Sequence, residues 1–298
     1  MTAAQLLKKP CPASGDGVHT WIFYAACRLI EAGLSNEEAE AEIEALMTRE
    51  PNPTSEIMDA LRSARGDRSR STPRWSPVNP AAIAEIVKSG PTLLELVSRS
   101  PEPIQFGAQS RSELIVDTLF PGNPWLCIGA TDWDFRTERR EFWRGRLCAR
   151  SLIVPSPMSD RKGRTKKGEL SYHSAANTGR RRFLITEFDS GTLDQQAALL
   201  WHLAQAVPFL ALVVFSGSRS LHGWFCCEGE AEDKLSRFFD YAHSLGACRG
   251  MWQISQFARL PDGTRRDGKT SDALQLAGIE NVPRGRQAVL YFNPETIR

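Results

Sequence analysis

The residues of this chain best suited to chemistry close the stretch FLITEFDSG, Phe183 to Gly191. An apolar run of this kind reads as a buried strand. Side chains alternate faces along a strand, so Phe183, Ile185, Glu187 and Asp189 share one face and Leu184, Thr186 and Phe188 the other. Glu187 and Asp189 then stand roughly 6.5 Å apart along the chain. Two carboxylates on an otherwise buried strand are costly unless positive charge neutralises them. A divalent cation does this, and Mg²⁺ in particular combines a few carboxylates with substrate phosphates. The other solution is a strand end that reaches solvent, with both acids hydrated or paired to arginine.

A second group lies downstream in LALVVFSGSRSLHGWF, Leu210 to Phe225. An apolar strand is followed by a small-residue turn, Ser216 to Ser220, and then by His222 on the next strand. Turns rich in glycine and serine leave backbone N–H groups free to hold phosphate. Arg219 adds a positive charge, and His222 can donate to a phosphate oxygen. A tight hairpin with a core histidine would look the same. Between the two groups, Thr192 and Gln195 form a capping-box pattern that opens the helix LDQQAALLWHLAQA. Strand, helix and strand therefore make Phe183 to Phe225 a compact unit with the acids near a strand end.

An acid-x-acid strand, a Ser-x-His strand and the Arg-Leu-Pro turn of SQFARLPDGTRRDGK (Ser255 to Lys269) follow one another in that order. This arrangement resembles the archaeo-eukaryotic primase superfamily, which includes plasmid and phage primase-polymerases, over about the last two-thirds of the chain. The resemblance implies an α+β fold with a primase-type catalytic domain, an RRM-like antiparallel sheet with helices. It implies a metal-dependent nucleotidyltransferase that makes or extends primers on single-stranded DNA during replication of a mobile element or phage. In that reading Glu187 and Asp189 hold Mg²⁺ or Mn²⁺ and are catalytic together with His222. Ser220, His222, Arg219 and Arg259 bind the triphosphate, and a replicative helicase is the expected protein partner.

The family usually brings a third carboxylate from the region ahead of the Arg-Leu-Pro turn. YAHSLGACRGMWQISQFARLP, Tyr241 to Pro261, contains no acid, and Cys248 stands about where one is expected; Asp240 and Asp262 lie at the margins. A pair of ions about 3.5–4 Å apart needs enough anionic ligands. The departure therefore keeps open a second reading: a catalytically degenerate primase-fold module that binds single-stranded nucleic acid or nucleotides. A third, a nuclease or relaxase-like phosphotransferase, has only Tyr172 beside His173 to offer as nucleophile.

The rest of the chain must position these residues. With 298 residues it can hold one large domain or two modest ones. Its net charge of +2 does not by itself advertise a polyanion partner. The 7 cysteines include no C-x-x-C pair, which argues against a disulfide framework or a zinc knuckle and for reduced thiols. No signal-peptide core and no run of transmembrane length is present, so a soluble cytoplasmic protein is expected.

Three amphipathic helices are predicted in residues 1–66: Gly17 to Glu31; a second opened by the Ser35–Glu38 capping-box pattern; a third capped by Thr54. GVHTWIFYAACRLIEAGLSNEEAEAEI resembles the small helical primase C-terminal domain, here placed ahead of the catalytic part. His19 reads as a surface residue. The Arg-, Ser- and Pro-rich residues 67–80 read as a linker, and 81–298 as the catalytic domain. Within the latter, SDRKGRTKKGELSYHSAANTGRRR lacks apolar periodicity and reads as a long loop. Its Arg161, Lys162, Arg164, Lys166, Lys167 and Arg181 are the candidate contacts to a template strand. Met251 to Leu260, SDALQLAG and QAVLYFN are expected as the closing strands.

Overall fold

The computed structural model describes residues 7, 9–13, 17–51, 56–58, 60, 61, 64, 75–107 and 109–297. The chain divides into two compact units, Met1–Arg74 and Trp75–Arg298. In the first, α1 (Val18–Glu31) and α2 (Asn36–Leu46) pack with further helical residues at 56–58, 60, 61 and 64. Val18, Trp21, Ile22, Ala25 and Leu29 recur at helical spacing and are all buried, against Ala39, Ile43, Ile57 and Leu61. Gly33, at φ 91°, ends α1 in the left-handed conformation that a side chain would disfavour. Ser35 Oγ accepts from Glu38 N at 3.2 Å and the Glu38 carboxylate accepts from Ser35 N at 2.8 Å, so the capping box is made. The Thr54 cap, the His19 side chain and linker residues 67–74 fall outside the described residues.

The second unit is mixed α+β with antiparallel sheets. Its helices and strands are α3 (Pro80–Ser89), α4 (Leu93–Ser98), α5 (Ser112–Leu119), β1 (Trp125–Gly129), β2 (Phe135–Arg139), β3 (Leu152–Ile153), β4 (Gly163–Arg164), β5 (Leu170–Ser171), β6 (Phe183–Phe188), α6 (Leu193–Ala206), β7 (Leu210–Phe215), β8 (Leu221–Cys226), α7 (Glu232–Ser244), β9 (Ala258–Arg259), α8 (Ala273–Leu276) and β10 (Val289–Phe292). One sheet has the order β10-β7-β8-β6, a second β2-β1-β3-β9, and β4-β5 is a separate hairpin.

Every residue of β7 and β8 is buried because both faces of the first sheet are covered. Phe183, Ile185, Leu212, Val214, Trp224 and Cys226 form one face and pack with Leu126, Ile128, Ile153 and Trp143 of the second sheet and its flanking turn. Phe188, Val213, Phe215, Leu221 and Phe225 form the other and pack on Leu193, Ala197, Leu200 and Leu203 of α6. Trp75, within the stretch read as linker, belongs to this unit: its ring stands 5.2 Å from Phe239 and 5.5 Å from Trp252.

Several segments differ from their sequence expectation. An RRM-like sheet would carry its last strand beside the first of the unit, β6; here β10 pairs with β7. The outer edge of β6 is taken instead by Cys248, whose N–H donates to Glu187 O at 2.9 Å, and by Pro155, which accepts from Phe183 N at 3.2 Å. Met251 to Leu260, expected as a strand, holds the end of a 3₁₀ turn, Arg249–Trp252, and only the two-residue β9. SDALQLAG holds α8, stopped by Gly278 at φ 83°. The long basic stretch folds as β4–β5 and a 3₁₀ turn. Buried Asn177 holds it together, donating to Asp160 O at 3.2 Å and Tyr172 O at 3.1 Å and accepting from Ser174 N at 2.9 Å. Polar ties replace apolar periodicity there, and hydrophobic patterning does not report them.

The Arg-Leu-Pro turn is held on both sides by backbone bonds. Leu260 N donates to Ser151 O at 3.0 Å, Thr264 N to Arg150 O at 2.9 Å, and Asp262 N to Gln287 O at 2.9 Å. A Cβ at Gly263 would run into the carbonyl oxygen of Arg150 and the side chain of Leu260. Gly263→Ala must therefore displace backbone. It is expected to cost about 1–3 kcal/mol by urea unfolding, the usual penalty of overpacking a tight site.

Candidate functional site

The register of β6 on β8 sets Glu187 opposite His222, and Ile185 opposite Trp224 behind them. His222 Nε2 lies 3.3 Å from Glu187 Oε1, and Ser220 Oγ donates to the same oxygen at 3.3 Å. His222 is 2% exposed, yet neither ring nitrogen has a hydrogen bond of good geometry to a protein group. A buried donor or acceptor left in this way is disfavoured, by about 1–3 kcal/mol. Burial pushes the Glu187 carboxyl up, but His222 beside it, then Arg259 and Ser220, outweigh this and hold it at about 2, below its ordinary 4.5. Glu187 is thus an anion throughout the neutral range.

Glu187 and His222 line a cleft of about 700 Å³ with Arg259, Ser151, Arg266, Asp267, Lys269, Asp132, Trp133 and Phe257. Arg259 reaches it from β9, with Nη1 3.4 Å from Ser151 Oγ. Burial and neighbouring Arg265 lower the Arg259 pKa, against the opposing pull of Asp267 and Glu187. Asp189 follows the end of β6. It is half-exposed and pairs with the exposed Arg219 at 3.4 Å, outside the groups that line the cleft. The small-residue turn is less open than its composition suggests. Ser216 N donates to Ser220 O at 2.9 Å, Ser220 N to Ser216 Oγ at 3.1 Å, and Arg265 caps Ser216 O at 3.1 Å.

The structure therefore brings Glu187, Ser220, His222 and Arg259 together and leaves Asp189 and Arg219 as a pair beside them. The two acids outside the sequence motif are engaged elsewhere. Asp240 accepts from Ser76 N at 2.6 Å and Ser76 Oγ at 2.7 Å, and Asp262 accepts from Arg111 N and lies 3.8 Å from Arg286. Burial raises the Cys248 thiol pKa, and the charges of both Glu187 and Asp189 raise it further. The thiol thus stands in the field of both carboxylates.

Of the basic residues, Lys166 and Lys167 are exposed in the loop of the β4–β5 hairpin, and Arg164 is tied to Gly168 O at 2.9 Å. Arg161 and Lys162 flank the Tyr172 ring at 5.6 and 4.6 Å. The Arg181 side chain is only 9% exposed, donates to Trp252 O at 2.9 Å and covers the Trp252 ring, so it is a packing group. His173 stacks on Phe257 at 4.2 Å, and its Nε2 lies 2.5 Å from Ser255 O.

Cleft residues that the motifs did not mark are Asp132, Trp133, Arg266, Asp267 and Lys269. The last three lie in the quoted DGTRRDGK, where density of charge was the one available signal. Trp133 had none beyond an unexplained aromatic in a polar turn.

Glu187 and Asp189, at the end of β6, are the carboxylates that could hold a hard cation. Mg²⁺ and Mn²⁺ take carboxylate oxygens together with phosphate and water oxygens. Glu187 and Asp189 supply two carboxylates. Among the described residues no group of three or more His, Cys, Asp or Glu is arranged to hold a metal. No helix among the described residues is long and apolar enough to cross a membrane. Comparison with family models, with curated proteins and with solved structures finds no match to this chain.

Proposed function

We propose that the second unit is a primase-type nucleotidyltransferase that binds a nucleoside triphosphate in the Glu187–His222–Arg259 cleft and joins it to a strand on a single-stranded DNA template. One observation carries the reading: buried His222, its Nε2 3.3 Å from the anionic Glu187 carboxylate and its Nδ1 without a hydrogen-bond partner, lines a cleft that also holds three cations, Arg259, Arg266 and Lys269. A triphosphate supplies anionic oxygens for these cations and for His222. The element order from β6 to β10, strand-helix-strand-strand-helix-strand apart from the short β9 and α8, fits it, while the pairing of β10 with β7 departs from it.

Glu187 and Asp189 would hold the Mg²⁺ or Mn²⁺ ion, which when bound neutralises phosphate charge. The chain's own groups do the rest. Ser220 fixes the Glu187 carboxylate through its Oε1. Arg259, Arg266 and Lys269 bind phosphate oxygens, and His222 donates to them from the wall of the cleft. Arg219, on Asp189, is freed for the triphosphate when that carboxylate takes another partner. Exposed Lys162, Lys166 and Lys167 offer charge to a template strand, with a replicative helicase as the proposed partner in a mobile-element or phage setting.

The test is incorporation of labelled nucleotides on primed and unprimed single-stranded DNA with Mg²⁺ or Mn²⁺. Template-dependent product is expected. A protein that neither incorporates nucleotides nor binds them overturns the reading. Binding without incorporation selects the degenerate module instead, which Cys248 at the place of a third carboxylate favours.

A further inference from the structure

Of the 8 tryptophans, Trp133 alone is exposed, at 78%. It is also a wall of the cleft that holds Glu187, His222 and Arg259. An exposed indole in a charged cleft contributes nothing to the core, and its position is not loose. The turn between β1 and β2 is closed by Ala130 N donating to Asp134 O at 2.9 Å. Thr131 Oγ1 accepts from Asp134 N at 3.0 Å and from Trp133 N at 3.4 Å. A Cβ on Gly129 would come within 2.7 Å of Thr131 O and 2.9 Å of Asp134 O, so the turn is tight at its base.

The sheet register relates this turn to the cations. Gly129 pairs with Leu152, and Leu152 with Arg259, so the three stand in one row across β1, β3 and β9. Strands are spaced by about 4.8 Å, which sets the root of the Trp133 turn about 10 Å from the Arg259 backbone. That is the scale on which a nucleotide separates its base from its outer phosphates. Arg266 and Lys269 extend the cationic side of the cleft.

We propose that Trp133 is the stacking platform for the base of the nucleoside triphosphate, whose phosphates lie against Arg259, Arg266 and Lys269. This rests on the nucleotide reading of the cleft and adds what holds the base. Every base has a π-face, so the contact favours nucleotides over plain polyphosphate without selecting among bases.

The experiment compares wild type, Trp133→Leu and Trp133→Phe for binding of a nucleoside triphosphate, inorganic tripolyphosphate and a thymidine oligonucleotide, by calorimetry. Wild type is expected to bind the nucleoside triphosphate about 10-fold or more tighter than tripolyphosphate. Trp133→Leu removes that preference while tripolyphosphate affinity stays within about 2-fold, and Trp133→Phe restores most of it. The side chain is on the surface, and a melting temperature equal to that of wild type confirms that each variant is folded. Nucleoside triphosphate affinity unchanged in Trp133→Leu overturns the proposal, as does a loss confined to the oligonucleotide. Wild-type protein that binds neither phosphate ligand defeats the nucleotide reading itself. Wild-type protein that binds both equally defeats only the role of Trp133.

Discussion

Glu187→Gln is expected to lower nucleotide incorporation by about 100-fold or more, the scale on which one preorganised charge or donor at a phosphoryl-type site acts. The substitution keeps the volume and the oxygen that faces Ser220 and His222, but removes the negative charge. The same variant has a signature in stability. The Glu187 carboxyl titrates at about 2 in the folded chain against an ordinary 4.5. A depressed carboxyl pKa stabilises the fold above the unfolded value and loses that contribution as pH falls through the folded one. Wild type should therefore exceed Glu187→Gln by up to about 3 kcal/mol just above pH 4.5, and the gap should close between pH 4.5 and about 2. Urea unfolding across that range measures it. A gap that does not change with pH would show that Glu187 is not held by its cationic neighbours. Incorporation equal to wild type would remove Glu187 from the site.

Trp224→Ala is expected to have the largest effect on the fold. Trp224 is fully buried on central strand β8, two residues from His222 on the same face, with its ring 5.6 Å from that of Phe183. Truncating a buried tryptophan leaves a cavity that its neighbours fill only partly, at about 3–5 kcal/mol. For a unit of this size that lowers the melting temperature by roughly 6–20 °C. The cavity opens directly behind the Glu187–His222 pair, so triphosphate affinity should fall as well. Trp224→Phe retains a ring and discards an indole N–H that has no partner, so its loss should be clearly smaller. Calorimetric melting of both variants checks the order. A Trp224→Ala protein as stable as wild type would mean that this face of the sheet is not the centre of the core.

The local features of the chain were legible in its residues. Glu38 three residues after Ser35, and Gln195 three after Thr192, announce helix starts, and both capping boxes are made. Alternation along FLITEF puts Glu187 on the face of Phe183 and Ile185, and helical spacing in α1 marks the residues that become the first unit's core. These signals act over two to four residues, within the reach of one side chain to a neighbouring backbone group.

What lies across the molecule was decided only on folding. The meeting of Glu187 with His222 depends on the register of β6 and β8, strands joined through a helix and a third strand. The presence of Arg259 and Trp133 in one cleft depends on the row Gly129–Leu152–Arg259, drawn from three separate segments. Arg181 resembles its neighbours in a basic run, yet the Trp252 ring and carbonyl take it inward, while the equally basic Lys166 and Lys167 remain in solvent. Spacing along the chain says which face a side chain shares with its near neighbours. Which distant group faces it, and whether water does, follows from how two buried surfaces fit together, and no short stretch of residues contains that fit.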